Sequence, residues 1–264
     1  MQRFITHITF IAATLIATLL IGLPSAFALT EAEVQEVLKE LDDRRQSVSD
    51  YRALIYIDQV EEGQSDTAYE LVVYRRQSSD RTVLLFTRPR AEAGKGYLRI
   101  DRNLFLYDPT VGNWERRTER ERIGGTGGQR ADFDSMNLSE NFTATYEGED
   151  TLGAYTAHHL KLTARDGVDV PYPILEIWVD KESGNLLKQE DYALSERLMR
   201  TLYYPNWQRI RSEDGETTAY FPREIRIFDE VETGNRTTMV FRSVELEEQP
   251  DHIFTRAWIE SRSR

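Results

Sequence analysis

The stretch that decides the fold is Ile174-Leu175-Glu176-Ile177-Trp178-Val179-Asp180, in which apolar and polar side chains alternate. Leu175, Ile177 and Val179 share one face of an extended chain, because successive side chains of a strand point to opposite faces. The acidic residues of the stretch share the other face with Trp178. One apolar face and one solvated face predict a strand of an antiparallel sheet.

The same alternation recurs along most of the chain. Thirteen stretches that read as strands follow one another, from Tyr51–Val60 to 237–245. In one of them, Leu160 and Leu162 lie on the face opposite to that of His159. The turns between them are short and contain Gly, Asn or Asp, so neighbouring strands are mostly antiparallel hairpins. No helical crossovers separate the strands, which disfavours a parallel sheet and the nucleotide-binding enzymes built on one. We therefore predict a mainly β, α+β protein with one large antiparallel sheet of about a dozen strands.

A single amphipathic helix precedes the strands. Thr30-Glu31-Ala32-Glu33 is a capping box, in which Thr30 and Glu33 satisfy each other's backbone N–H groups. An apolar stripe at helical spacing follows it and needs a partner surface. The stripe consists of Val34, Val37, Leu38, Leu41 and Val48.

Composition excludes several classes of function. The 264 residues carry a formal net charge of −12, with 33 Lys and Arg against 45 Asp and Glu. This balance gives no general basic field for nucleic acid, so no nucleic-acid partner is predicted. The chain has no cysteine, which excludes disulfides, Cys-zinc sites and thiol nucleophiles.

The N-terminus predicts export. Arg3 precedes an apolar run at 4–23, and the small residues Ala26 and Ala28 then form a cleavage site. We interpret 1–28 as a signal peptide and 29–264 as one periplasmic domain with no integral membrane segment. The alternative is an uncleaved membrane anchor, which Gly22 and Pro24 disfavour.

No catalytic or cofactor motif is found, and neither an enzyme nor a cofactor is predicted. His158 and His159 are adjacent on a predicted strand, so their side chains point to opposite faces and cannot chelate one metal there. The acidic pairs Asp132 with Asp134 and Glu147 with Glu149 are interpreted as surface charge.

The most unusual local feature is the glycine-rich run in 119–138. This segment shows no strand pattern, and its glycines favour a mobile flap over a phosphate loop, because no Lys-Ser/Thr follows them. We predict a lid or gate at the mouth of a cavity, and an ordinary loop between two strands is the alternative. The gate residues are Gly124, Gly125, Gly127, Gly128, Phe133 and Met136.

Several blocks of the chain resemble the outer membrane lipoprotein-sorting family, which is related to the Lol-type periplasmic lipoprotein carriers. The resemblance covers most of the chain after the signal peptide. The blocks are Phe86-Thr87-Arg88-Pro89, Gly94-Lys95-Gly96-Tyr97-Leu98, Leu104-Phe105-Leu106-Tyr107-Asp108-Pro109, Trp114-Glu115-Arg116-Arg117, Ala131-Asp132-Phe133-Asp134-Ser135-Met136-Asn137-Leu138, Tyr172-Pro173, Leu175-Glu176-Ile177-Trp178-Val179-Asp180-Lys181, Leu187-Lys188-Gln189-Glu190-Asp191-Tyr192 and Phe254-Thr255.

The resemblance implies an open antiparallel half-barrel, with helices over an apolar cavity that takes acyl chains. It also implies a lipoprotein or lipid-like ligand and an inner-membrane transporter of the resistance-nodulation or lipoprotein-releasing type. We expect a periplasmic carrier or binding protein, with a periplasmic sensor or interaction module on the same fold as the alternative. The expected cavity residues are Leu98, Ile100, Leu160, Leu162, Leu175, Ile177 and Val179.

Overall fold

The computed structural model describes residues 28–46, 50–101, 103–118, 121–133 and 137–263. The predicted signal peptide, apart from Ala28, lies outside these residues, as do Val48, Asp134 and Met136. Within the described residues no helix is long and apolar enough to cross a membrane.

The described chain forms three α-helices, two 3₁₀ turns and thirteen strands. The helices are α1 Glu31–Gln46, α2 Leu138–Asn141 and α3 Arg256–Arg262, and the 3₁₀ turns are Arg130–Phe133 and Asp251–Phe254. The strands are β1 Tyr51–Val60, β2 Thr67–Arg76, β3 Arg81–Arg88, β4 Gly96–Ile100, β5 Asn103–Asp108, β6 Asn113–Arg117, β7 Phe142–Leu152, β8 Tyr155–Ala164, β9 Ile174–Asp180, β10 Leu186–Tyr192, β11 Leu198–Arg211, β12 Thr218–Asp229 and β13 Arg236–Leu246.

All thirteen strands belong to one open antiparallel sheet, with the order β6-β5-β4-β3-β2-β1-β13-β12-β11-β10-β9-β8-β7. The first strand, β1, pairs with the last, β13, in the middle of the sheet. The two edge strands, β6 and β7, are therefore joined by a connection that must travel from one edge of the sheet to the other. The predicted fold class and strand pattern are confirmed.

One strand is longer than the sequence predicts. The sequence predicts a strand at 197–204, before Pro205, and proline cannot donate a ladder hydrogen bond. In the structure β11 continues to Arg211, and its pairing with β12 is irregular between Tyr203 and Trp207. The sheet thus accommodates Pro205 at a local irregularity instead of ending there.

The helix α1 begins as the capping box predicts. The Glu33 carboxylate accepts a hydrogen bond from the Thr30 N–H at 2.7 Å, and the Thr30 hydroxyl accepts one from the Glu33 N–H at 3.3 Å. Val34, Leu38 and Leu41 of α1 are buried in the main apolar core, which covers one face of the sheet. We call this the helix-covered face.

A second, smaller core lies on the opposite face. The C-terminal 3₁₀ turn and α3 cover β3 and β4 there, through Phe254 and Ile259. Gly96 in β4 allows this contact, since a Cβ atom at Gly96 would lie 2.5 Å from Cγ2 of Ile259. Both faces of this part of the sheet are therefore apolar.

Candidate functional site

The expected cavity residues on β8 and β9 form part of the core of the helix-covered face. Leu160, Leu162 and Ile177 are fully buried there, and Leu175 and Val179 are nearly so. They pack in the same core as the apolar stripe of α1. In this structure they are covered by other side chains.

The other two expected residues lie on the opposite face of the sheet, so the seven do not share one face. Leu98 belongs to the core of the opposite face, and Ile100 packs against it. The strand β4 alternates Tyr97 and Arg99 with Leu98 and Ile100, and it is Tyr97 that reaches the helix-covered face. Alternation could not distinguish the faces because α3 buries the second face as well.

The connection between β6 and α2 runs across the helix-covered face. We call residues 121–133 and 137–141 the crossing segment. Its Gly124 N–H donates to the Tyr97 hydroxyl of β4 at 2.9 Å. Further along, Gly127 N–H donates to the side chains of Gln59 in β1 and Thr237 in β13, both at 2.9 Å. These partners follow the strand order, so the segment lies over the sheet from β4 to β13.

The glycines of the crossing segment are explained by close packing. A Cβ atom on Gly128 would lie 2.2 Å from Cε of Met239, and one on Gly127 would lie 2.5 Å from the Thr237 hydroxyl oxygen. Thr126, which precedes these two glycines in the chain, is fully buried. The backbone can lie this near the sheet only where side chains are absent.

The remaining expected gate residues divide between described and undescribed parts of the chain. Gly124 has a positive φ of 64°, and a Cβ atom there would lie 2.8 Å from the Phe86 ring. At Gly125 a Cβ atom would lie 2.6 Å from the Tyr69 hydroxyl. Phe133 is partly buried against the main core, and Met136 lies outside the described residues. The gate function itself stays a prediction.

A cavity of about 540 Å³ opens beside the crossing segment. Its wall combines residues of that segment, of the loop at 167–172 and of strands β9 to β11. Of the expected cavity residues, Leu175 contributes to it. Polar side chains are prominent in the wall. They include Arg99, Arg130, Asp132, Gln189, Asp191 and Arg200.

The most buried cation in the wall of this cavity is Arg200 in β11. Its guanidinium forms two parallel hydrogen bonds to Asp132, with Nη1–Oδ2 3.0 Å and Nη2–Oδ1 2.8 Å. Its Nε donates to the Asp191 carboxylate, and the Tyr172 ring covers it at 5.0 Å from the ring centroid. All three charged side chains are at most 6% exposed.

Electrostatics keep Arg200 charged in this buried position. Burial disfavours the charge, but the carboxylates of Asp132 and Asp191 outweigh it and raise the pKa of the guanidinium well above its usual value. Burial raises the pKa of Asp191, whereas the charge of Arg200 acts in the opposite direction. A buried charge is stable only when paired and hydrogen-bonded in this way.

A second arginine in the wall of this cavity is Arg99, which belongs to β4. Arg99 forms a bidentate pair with Asp80, at 2.8 and 2.7 Å, and Arg75 also donates to Asp80 at 2.8 Å. Burial alone would raise the pKa of Asp80, but its hydrogen bonds and charge interactions with Arg99 and Arg75 lower it. The cavity thus places buried cations beside apolar side chains.

The two adjacent histidines point to opposite faces, as predicted. His158 packs against the Tyr146 ring, while His159 stacks on Trp178 with ring centroids 4.2 Å apart. The His159 ring also contacts Glu176 at 2.9 Å and Asp150 at 3.3 Å. Trp178, expected on the solvated face, is only 5% exposed because its neighbours cover it.

Sequence reasoning missed the buried charged cluster. Asp132 was expected at the surface together with Asp134, and this is wrong for Asp132, which is buried against Arg200. Asp191 and Arg200 face each other on adjacent strands. Asp191 lies in register with Leu175 of β9 and shares its face, which the alternation within β10 alone could not indicate.

Several solved structures share the fold of this protein. A LolA superfamily protein from Nitrosomonas europaea matches at a TM-score of 0.70 and 22% identity, over 88% of this chain and 100% of that one. A DUF1329 family protein from Desulfovibrio piger matches at 0.75 and 14% identity, over 87% and 98% of the two chains. A domain assigned to outer membrane lipoprotein sorting from Vibrio parahaemolyticus matches at 0.72 and 17% identity, over 86% and 97%. The fold is therefore LolA-like.

The family follows from the sequence itself. The profile of a protein family described as "Uncharacterized protein" matches residues 78–261. This match covers more than half of the chain, so the chain belongs to that family. No curated protein matches the sequence.

Proposed function

We propose that this protein is a periplasmic carrier or binding protein for lipoproteins or other acylated ligands, working with an inner-membrane transporter. The observation that carries the proposal is the cover of the helix-covered face. Thirteen strands present one broad apolar face. A helix of 16 residues and the crossing segment, which has little regular structure, lie over it. A cover of this kind can separate from the sheet without breaking a strand pair.

The energetics favour an acyl ligand. Burying a methylene group contributes ~0.8 kcal/mol, so a chain of about 16 carbons gains roughly 12 kcal/mol relative to water. The ligand starts in a membrane, where its chains are already out of water, so transfer into the protein is nearly balanced. Direction must then come from a partner, which is the role of the proposed transporter.

The cavity beside Arg200 is large enough to start such a site. Its volume of about 540 Å³ lies within the range of about 300–1,000 Å³ found for small-molecule pockets. The polar wall suits a headgroup, and Leu175 leads from it towards Leu162 and Ile177 in the core. An acyl chain reaches those residues when α1 or the crossing segment moves away, which is the gate function we propose.

Probe binding tests this function. Leu162→Glu places a charge in the apolar core and should abolish binding of a fluorescent C16 fatty acid. Thr163→Glu is the matched control, because Thr163 is the next residue and is exposed on the opposite face. Circular dichroism and melting temperature establish that each variant is folded. Normal binding by a folded Leu162→Glu variant would contradict the assignment.

Two further measurements do not depend on a core variant. Mass spectrometry of the wild-type protein after mild purification should detect a retained acylated ligand. A transfer assay between donor and acceptor vesicles then separates a carrier from a sensor, since a sensor binds the ligand but does not move it.

Location is tested at the N-terminus. We propose export and cleavage after Ala28, so N-terminal sequencing of the periplasmic protein should begin at Leu29. A retained Met1 in a membrane fraction would contradict cleavage.

A further inference from the structure

We propose that Arg200 is an anion-binding group, and that a carboxylate or phosphate of the ligand takes the place that Asp132 occupies in this structure. The assignment depends on the proposed function, because it names the chemistry of the ligand's polar end. An acylated ligand with an anionic group would then bind in preference to a neutral one.

The geometry of Arg200 suits such a group. Two parallel N–H groups meet the two oxygens of Asp132 at 2.8 and 3.0 Å. A planar guanidinium fork fits carboxylate and phosphate oxygens in this bidentate manner, which an ammonium group cannot do. The Tyr172 ring lies over the guanidinium, at 5.0 Å from its centroid, and helps to fix its orientation.

The two carboxylates that contact Arg200 belong to different parts of the fold. Asp191 lies in β10, directly opposite Arg200 in the sheet, and it holds the Nε side of the guanidinium. Asp132 instead belongs to a 3₁₀ turn of the crossing segment. When the segment moves, Asp191 stays with the sheet and Asp132 leaves. The fork of Arg200 is then presented to the cavity with its orientation kept.

A buried amide beside the pair gives a second indication of a ligand. Gln189 is 3% exposed and lines the same cavity. Its Nε2 donates to Asp191 at 2.6 Å, which leaves Oε1 as an acceptor. Among the described residues this buried oxygen has no hydrogen-bond partner. It can accept from a hydroxyl or amide N–H located beside the anionic group of a ligand.

The surroundings of the pair match an amphiphile. Leu175 lies in register with Asp191 on the neighbouring strand, and Leu202 lies in register with Gln189. Both leucines belong to the main apolar core. An anionic group on Arg200 would therefore have its acyl chain directed along apolar side chains of the same face.

The test compares anionic and neutral probes that carry the same acyl chain. The probes are a fluorescent C16 fatty acid, its methyl ester and a lysophosphatidate with the same fluorophore. In the wild type, Asp132 competes with the ligand for Arg200. Asp132→Asn removes the competing charge but keeps the side-chain shape, so affinity for the two anionic probes should rise about tenfold or more while that for the ester stays unchanged.

Two control variants locate the effect. Asp180→Asn removes a buried carboxylate from the turn end of β9, away from the cavity wall, and should not change the ratio of anionic to neutral affinity. Arg200→Lys in the Asp132→Asn protein keeps the charge but lacks the fork, and should lose the gain. An equal gain in Asp180→Asn, or a gain that persists when Arg200→Lys is added, would overturn the assignment.

The remaining outcomes separate this assignment from the proposed function. If all three probes bind equally and Asp132→Asn changes nothing, the anion site is wrong and the acyl-binding function stands. If no acyl probe binds but inorganic phosphate raises the melting temperature of Asp132→Asn and not of the Asp132→Asn/Arg200→Lys double variant, the anion site stands without an acyl chain. Binding of neither probe nor phosphate contradicts both.

Discussion

The carboxylate of Asp42 in α1 accepts hydrogen bonds from the backbone N–H and the hydroxyl of Ser139 in α2, at 2.8 and 2.7 Å. Its other oxygen accepts from the Leu138 N–H at 2.7 Å. One buried side chain thus joins the helix that covers the sheet to the end of the crossing segment. The two parts of the cover are linked to each other as well as to the sheet.

Replacing this carboxylate should weaken the cover. Asp42→Ala leaves the buried N–H of Leu138 without its acceptor, which should lower the free energy of unfolding by about 2 kcal/mol or more. Asp43→Ala is the control, because Asp43 is exposed and pairs with Lys39 at the surface, where such pairs contribute about 0–1 kcal/mol. Denaturant titration measures both variants, and equal losses would contradict the assigned role of Asp42.

A reversible crosslink tests whether the crossing segment is a gate. A Cβ atom on Gly127 lies 3.5 Å from Cβ of Thr237, a separation that suits a disulfide, whose Cβ atoms are about 3.5–4.5 Å apart. The chain has no cysteine of its own. Oxidised Gly127→Cys/Thr237→Cys should take up a fatty-acid probe much more slowly, and reduction should restore the rate.

The single-cysteine variants control for the substitutions themselves. They should bind the probe at the same rate in oxidising and reducing buffer. Unchanged uptake by the oxidised double variant, with the crosslink verified by mass spectrometry, would make the segment an ordinary loop.

The packing of Gly128 predicts a coupled pair of mutations. Gly128→Ala brings a methyl group against Met239, which is fully buried, and overpacking of this kind costs about 1–3 kcal/mol. The same change in a Met239→Ala protein should cost much less, because the space is then available. A double-mutant cycle by thermal or urea unfolding measures the coupling. Additive effects would mean that the two residues do not touch.

His158 predicts a dependence of stability on pH. Burial, followed by the charge of Lys181, lowers the pKa of His158 in the folded protein below the value of 6.5. The unfolded chain therefore binds the proton more readily, so stability should fall as pH drops from about 6.5 through the folded pKa. His158→Gln should reduce this loss.

An NMR titration measures the same quantity directly. The His158 resonance, assigned by its absence in His158→Gln, should titrate with a midpoint below 6.5. A midpoint at or above that value would contradict burial as the dominant influence on this imidazole.

The sheet was predictable because several of its strands alternate apolar and polar residues, whereas the site was not predictable. Leu175 and Ile177 were assigned to one face correctly, since the polar residues between them left one choice. Leu98 was assigned to the wrong face, because both faces of β4 are apolar and the helix that covers the second one is distant in sequence. Alternation is a local signal, and it does not specify what packs on either face.

The buried pair shows the same limit for charges. A carboxylate such as Asp132 is usually exposed, and nothing near it in the sequence indicates a partner at position 200. Its burial depends on the path of the crossing segment over the sheet. The close approach of Gly128 to Met239 depends on that path too, so the glycine run could be recognised as unusual but not assigned to packing.

The pairing of β1 with β13 determines how the sheet can be assembled. Strands β1 to β6 and β7 to β13 are each a run of neighbours in sequence, so each half can form from local contacts. Joining the halves requires contacts between residues that almost the whole chain separates, and such contacts form late and slowly. Until the 11 residues of β13 are in place, β1 and β12 both have unpaired edges, which are templates for aggregation. A chain truncated before Arg236 would leave both of these edges unpaired and would therefore have a strong tendency to associate with other chains.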